Sequence, residues 1–359
     1  MKILVGFSGG VDSSVAALLL KEQGHDVVGV NMSIWGKDDS FLPLEGVCKD
    51  ACYGPGENAR IEFARKVAEE IGIPFHVIDC VSQYEEVVLE NFKEEYLLGR
   101  TPNPCIRCNS KIKFDALISG AKQFGLEFDK FATGHYAQVF YDEMLQRYGI
   151  KKGINPKKDQ SYFIYRLRQD QLEKIIFPLG GYTKEEIRKI AQDKNLSIHN
   201  KPDSQDFYGS DYSKLLGMEE KQGNIVDKNG KILGKHKGIW NYTVGQRKGI
   251  GIAAPRPLYV LALEKEKNEV IVGEEDDTFK KALVAKNLNW VSIAGLTEEI
   301  KATAKIRSAQ TPVDVVVRPQ GDDIYVEFLD LQKSITLGQS IVLYNDDILL
   351  GGGIIEEIL

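Results

Sequence analysis

The sequence predicts an α/β protein: a parallel-sheet domain over residues 1–210, a small central domain over 211–282, and an antiparallel β-barrel over 283–359. Three observations predict it. Strand and helix patterns alternate through about the first 135 residues, the texture changes to short glycine-punctuated runs after about residue 210, and apolar and polar residues alternate from about Leu283 onward. Alternating β and α patterns imply helical crossovers between parallel strands, with ligands gathering at the carboxyl ends of those strands. Short, regular strands instead close their edges as a small barrel.

The elements follow in order. KILVGF is a short apolar run that reads as a buried strand, SGGVDSS follows at once, and VAALLLKEQG has a helical pattern ended by Gly24. DVVGVNM is the next strand, ENARIEFARKVAEEIG an amphipathic helix stopped by Gly72, PFHVID a strand, and SQYEEVVLENFKEEYLLG another helix. KIKFDALISGAKQFG continues as helix and DKFATGHY as strand then loop. Beyond residue 210, GNIVDKNGKILGKHKG gives short strands and PLYVLALEKEKNEVIVG a hairpin over EKEKN. VDVVVRP, DIYVEFLD and SIVLYNDDILLGGGII supply the alternating strands of the barrel, and no internal repeat or low-complexity segment interrupts the chain.

Composition narrows the class. A chain of 359 residues with 43% hydrophobic and 27% charged residues can bury more than one core and is not a disordered polymer. MKILVGF is too short an apolar run for a signal peptide, and no stretch approaches the roughly 18 apolar residues of a membrane span, so a cytoplasmic protein with no membrane partner is expected. Five cysteines are odd in number and sparse, which argues against a disulfide framework and for thiols used as thiols. The net charge of −6 disfavours a nucleic-acid binder as a sum, but local fields matter more. Residues 151–168 carry six bases (Lys151, Lys152, Lys157, Lys158, Arg166, Arg168) against Asp159 alone, interleaved with Tyr162, Phe163 and Tyr165. Residues 231–248 add Lys231, Lys235, Lys237, Arg247 and Lys248 with no acid. The two stretches are either solvated basic loops or a phosphate-binding face.

SGGVDSS, residues 8–14, lies between a strand and a helix start. Ser8, Gly9 and Gly10 let backbone approach a ligand closely, while the helix amino terminus aims unpaired N–H groups and partial positive charge at it. That geometry grips phosphate. It is neither GxxxxGK[ST] nor GxGxxG, and Asp12 and Ser13 read either as helix caps or as holders of Mg2+.

The string resembles the signature of the PP-loop ATP pyrophosphatases, with their adenine nucleotide alpha hydrolase-like fold, which split ATP between the α and β phosphates and adenylate a carbonyl oxygen. Nearly the whole chain is similar to the tRNA-specific 2-thiouridylases through GRTPNPCIRCNSKIKF, ATGHYA, KKDQSYFIYRL, FPLG, KPDSQDF, YTVGQRKGIGI and the tail from KIRS to LLGGGII. The resemblance implies that ATP activates C2 of the wobble uridine of tRNA and that protein-borne sulfur then displaces AMP. It implies ATP with Mg2+ at Gly6, Phe7, Ser8, Gly9, Gly10, Val11, Asp12, Ser13, Ser14, Met32 and Gly134, and tRNA at Lys157, Lys158, Asp159, Gln160, Arg247 and Lys248. Asp12, Cys105 and Cys108 are then the catalytic candidates. The base must leave the anticodon stack for a pocket, and the central domain and barrel are expected to grip the RNA. His135 is either a ligand-side residue or a loop histidine.

The cysteines depart from the family pattern. Its commonest form has aspartate where Cys105 stands, keeps Cys108, and carries a second essential cysteine at the place Tyr208 occupies here. Three schemes remain open. Cys105 and Cys108 form a local persulfide and disulfide pair; or, with Cys52 or Cys48, they hold a [4Fe-4S] cluster whose open iron binds sulfide; or all four bind zinc. Arg107 and a helix amino terminus at about Ser110 are expected to lower the thiol pKa values, and Cys80 is expected to be buried. Sulfur would come from free sulfide, a cysteine desulfurase or a relay protein. The rival functions are a small-molecule amide ligase with the same ATP loop, which has no use for CxxC, and an RNA-binding module, which has no use for SGGVDSS.

Overall fold

A computed structural model describes residues 1–36, 51–202, 207, 208, 215, 217 and 219–359. The first sheet is built from β1 (Lys2–Gly6), β2 (Asp26–Ser33), β3 (Phe75–Asp79) and β4 (Lys130–Thr133), each a short apolar run. The chain then forms a hairpin, β5 (Ala137–Asp142) and β6 (Arg147–Lys152), before returning to the first sheet with β7 (Ile175–Ile176). All pairings in the order β3-β2-β1-β4-β7 are parallel, as the alternating pattern predicts.

Both faces of this sheet are covered. Ile3 and Val5 of β1 pack with Val11 and Val15 of α1 (Val11–Glu22), Ala64 and Val67 of α2 (Glu57–Ile71), and Ile187 of the helix Lys184–Asp193. Leu4, pointing the other way, joins Val30, Ile78, Phe92, Ile112, Phe114 and Leu117. The period-two alternation of a strand thus distributes one apolar run between two cores. Each fully buried large apolar side chain contributes about 1.5–3 kcal/mol.

The central sheet consists of β8 (Gly223–Asp227), β9 (Ile232–His236), β10 (Tyr259–Glu264) and β11 (Glu269–Gly273), in the order β10-β11-β8-β9. The expected hairpin over EKEKN is β10–β11, and β11 pairs β8 in parallel. The last sheet contains β12 (Phe279–Trp290), β13 (Ile300–Lys305), β14 (Val313–Gln320), β15 (Asp323–Lys333), β16 (Ser340–Asn345) and β17 (Ile348–Ile358). Pairing of β12 with β17 closes these six antiparallel strands into a barrel.

The hairpin β5–β6 is not among the elements the pattern predicts. It leaves the parallel sheet and extends the barrel sheet, with Ile348 opposite Lys151 and Leu349 opposite Ile150. Arg147 fixes it by donating to the carbonyls of Val291 (2.8 Å) and Trp290 (3.0 Å). Lys151 and Lys152, the start of the first basic stretch read from sequence, lie on a strand. Among the described residues no helix is long and apolar enough to cross a membrane.

Candidate active site

The loop after β1 is shaped by backbone. Phe7 continues the ladder by donating to the Val30 carbonyl at 2.7 Å, and its own carbonyl accepts from Asn31 Nδ2 at 2.8 Å. Gly9 has φ +69°, and a Cβ there would lie 2.7 Å from Ala64 Cα, so only glycine fits between the loop and α2. Gly10 is the extended amino cap of α1 with no side-chain hydrogen bond to the helix, so the first-turn N–H groups of α1 are not closed off by a capping side chain. Ser13 stiffens the bend: its Oγ accepts from Ser8 N at 3.2 Å and donates to Gly10 O at 3.3 Å. Val11 and Ser14 are buried beneath the loop, and Met32 lies half-buried near the carboxyl end of β2.

Asp12 is neither a cap nor free. Its Oδ1 accepts from Tyr136 Oη and from Lys184 Nζ, both at 2.7 Å, and Lys184 is buried. Gly134 brings the loop after β4 against this turn: a Cβ on it would meet the Asp12 carbonyl carbon at 2.7 Å and Ser13 N at 2.8 Å. His135 is a core histidine. It lies between Phe114 and Phe177, Nδ1 is 2.7 Å from Thr133 Oγ1, and burial, aided by Lys113, holds its pKa well below the usual value.

The cysteine helix opens earlier than the sequence suggests. Asn103 caps it, accepting from Ile106 N at 3.4 Å, Pro104 occupies the first turn, and the helix runs through Pro104–Arg107 into a wider π-helical stretch, Cys108–Ala116. Ser110 is thus inside the helix, and Cys105 lies in its first turn.

The expected lowering of the thiol pKa values is not what the fold produces. Burial pushes Cys105 up to about 11, with Cys52 adding to the rise and Lys113 opposing it. Burial likewise pushes Cys108 up to about 12, against the pull of Lys113 and with Cys105, Cys52 and Cys80 adding to it. Loss of water around a thiolate outweighs the helix terminus, and the cation that acts on the pair is Lys113 rather than Arg107. Cys80 is buried, as expected.

The third thiol lies nearby. Burial raises the Tyr84 hydroxyl pKa, followed by the charges of Cys108, Cys52 and Cys105, so all three thiols lie within electrostatic reach of this ring. Tyr53, next to Cys52, stacks on Tyr84 at 5.3 Å and 15°, and its N–H donates to Phe207 O at 3.0 Å. Tyr208 has its ring 6.4 Å from that of Tyr53. Among the described residues no three His, Cys, Asp or Glu side chains are arranged to hold a metal ion, and Cys48 lies outside the described residues.

The RNA candidates divide. Lys157, Arg247 and Lys248 are exposed and Lys158 is half-exposed. Asp159 faces inward, accepting from Gly153 N (3.2 Å), Ser161 N (3.1 Å) and Ser161 Oγ (2.9 Å), with Lys305 Nζ at 4.0 Å. Gln160 grips the backbone of Tyr136 through Oε1 and N, both at 3.0 Å. Sequence reasoning missed Tyr84, Lys113, Tyr136 and Lys184, because each acquires its neighbour through the tertiary fold.

Three family models match in succession: a tRNA methyl transferase HUP domain over residues 1–208, a tRNA methyl transferase PRC-barrel domain over 216–274, and an aminomethyltransferase beta-barrel domain over 280–355. The tRNA-specific 2-thiouridylase MnmA of Endomicrobium trichonymphae is 52% identical over 359 residues, covering 99% of each chain. That of Clostridioides difficile (strain 630) is 45% identical, covering 100% of this chain and 99% of its own. A 4-thiouridine synthetase in an RNA complex with bound ATP aligns at a TM-score of only 0.33 and 16% identity, over 58% of this chain and 44% of that one. On the strength of near-complete coverage at these identities, the chain belongs to the tRNA-specific 2-thiouridylase family.

Proposed function

We propose that this chain is a cytoplasmic, ATP-dependent tRNA-uridine 2-sulfurtransferase acting on the wobble position. In the first step the uridine O2 attacks the α-phosphorus of ATP and pyrophosphate leaves. The loop from Gly6 to Ser14, with Met32 and Gly134, cradles the nucleotide, and Mg2+, for which Asp12 is the loop's own carboxylate, would offset charge on the departing phosphates when bound. Lys157, Lys158, Gln160, Arg247 and Lys248 hold the RNA, and Asp159 keeps their loop in shape.

In the second step the terminal sulfur of a Cys108 persulfide adds to C2. The Cys105 thiolate attacks the Cys108 sulfur, forming a disulfide and leaving an electron pair on the transferred sulfur, which expels AMP with the former O2. Hydrosulfide from the donor attacks Cys108 in that disulfide, restoring the persulfide and freeing Cys105, so the electrons balance without another reductant. Lys113 is the cation beside both thiols and favours the thiolate when it forms. These steps use the Cys105 and Cys108 thiols alone.

The observation that carries this reading is an unbroken run of contacts between the two reactive segments. Asp12 bonds Tyr136 (2.7 Å), Tyr136 N donates to Gln160 (3.0 Å), Phe163 N donates to Gln160 O (3.0 Å), and Asn109, beside Cys108, donates to Phe163 O (3.2 Å). The test is incubation with unmodified tRNA, ATP, Mg2+ and sulfide, followed by nucleoside mass spectrometry and pyrophosphate assay. RNA-dependent pyrophosphate release with 2-thiouridine at the wobble position is expected. Pyrophosphate release without RNA dependence, with an amide as product, would instead make the chain a small-molecule ligase. Iron and acid-labile sulfide at about four each per chain, lost in Cys105→Ala, Cys108→Ala and either Cys48→Ala or Cys52→Ala, would replace the persulfide by cluster-bound sulfide.

A further inference from the structure

The connection between β15 and β16, residues 334–339, touches three distant parts of the chain. At its start Ser334 meets the loop that carries Arg247 and Lys248: a Cβ on Gly245, φ +87°, would lie 2.5 Å from Ser334 Oγ. At its end, Leu337 O accepts from Thr101 N at 2.9 Å, and Gln339 Nε2 donates to Thr101 O at 2.8 Å and to Pro102 O at 3.4 Å. Those are the residues immediately before the capped start of the cysteine helix at Asn103. Gly338, φ +83°, lets the connection pass so close that a Cβ there would be 3.1 Å from Arg100 Cβ and 3.2 Å from Thr101 N. Just beyond, Ser340 O accepts from Tyr162 Oη at 2.8 Å and Ser340 Oγ is 3.0 Å from Tyr165 Oη, on the segment that follows Gln160. Arg100 closes the junction, donating to Glu95 at 2.6 Å and to both oxygens of Glu356 at 2.6 and 2.5 Å.

We infer that residues 334–339 are a positioning element for sulfur transfer, with Gln339 its principal side chain, coupling the Arg247–Lys248 loop to the placement of Cys105 and Cys108. The inference deepens, and rests on, the thiolation reading. The barrel is thereby more than a grip for RNA. Two backbone carbonyls of the cysteine lead-in are held by one amide group, and displacement of a nucleophile by about 1 Å costs on the order of 100-fold in rate. Gln339 touches no reacting atom and acts through the helix it anchors.

The test compares Gln339→Ala, which removes the donor, with Gln339→Glu, which fills the same space but presents an acceptor to two carbonyls. Both are expected to lower kcat for thiolation at least about tenfold while tRNA Kd, ATP KM and melting temperature stay near wild type. Without RNA or ATP, alkylation of Cys105 by iodoacetamide, followed by peptide mass spectrometry, is expected to change at least about threefold in both variants. Wild-type kcat, a loss that follows tRNA affinity or melting temperature, or unchanged alkylation would overturn the inference. Altered alkylation in a chain whose wild type thiolates nothing would overturn the proposed function and with it the assignment to sulfur transfer, leaving only the anchoring of the cysteine helix by Gln339.

Discussion

The loop over residues 8–14 and the cysteine helix belong to one α/β domain, yet they are held in place differently. The loop is fixed by its own backbone, by Ser8 and Ser13 within it, by close approaches to Ala64 of α2 and to Gly134, and by Tyr136 and Lys184 on Asp12, all inside that domain. The cysteine helix is fixed by Gln339, 238 positions away from Thr101, and by Phe163, 54 positions from Asn109. The first segment is held from within its own domain, whereas the second takes one of its anchors from the barrel. On the thiolation proposed above, that anchor ties the nucleophile to the barrel while the nucleotide loop is referenced to the α/β domain alone.

The largest expected effect isolates the cysteine region. Cys108→Ala abolishes thiolation, a loss of about 1000-fold or more, while RNA-dependent pyrophosphate release stays within about threefold, because adenylation precedes sulfur attack. Loss of both activities together would erase the distinction between the two regions. The next effect is on pH. A thiol pKa raised to about 11 means that Cys105 is protonated at pH 8, so its alkylation rate rises about tenfold per pH unit, about 100-fold between pH 8 and 10, and flattens near pH 11. A plateau by pH 9 would show that the folded protein does not desolvate the pair.

Gly9→Ala makes the reciprocal cut. With φ +69° and Ala64 in the way, ATP affinity falls roughly 10- to 30-fold while alkylation of Cys105 is unchanged. Equilibrium dialysis with ATP measures the first and peptide mass spectrometry the second. The smallest effect is Arg100→Ala, which breaks a half-buried bidentate pair and lowers unfolding free energy by about 1 kcal/mol, read by denaturant titration. A cost confined to the barrel signal would mean that the junction is not shared.

The sequence made local features legible. The succession of β1 to β4 along the chain, the glycine turn at residues 8–14 and the barrel strands follow from periodicity and glycine placement, which act over a few residues. The start of the cysteine helix was displaced because Pro104 and Asn103 form a cap that the apolar pattern does not reveal. The direction of the thiol shift was missed because burial is a tertiary property: no feature of CIRC states that Tyr84 and Lys113 will surround it. Cys52 was legible as a candidate by position in the loop after β2, and its approach to the pair only from the fold.

The hairpin β5–β6 bears on how the chain is made. It leaves the ribosome about 200 residues before β17, its partner in the barrel sheet, which at typical synthesis rates is an interval of roughly 10 to 40 s. Throughout that time β6 presents an unpaired strand edge, a template for association with other nascent chains. Truncation before β12, as in making the ATP-binding part alone, would render that interval permanent, so expression of such fragments is expected to yield aggregate unless the hairpin is removed as well.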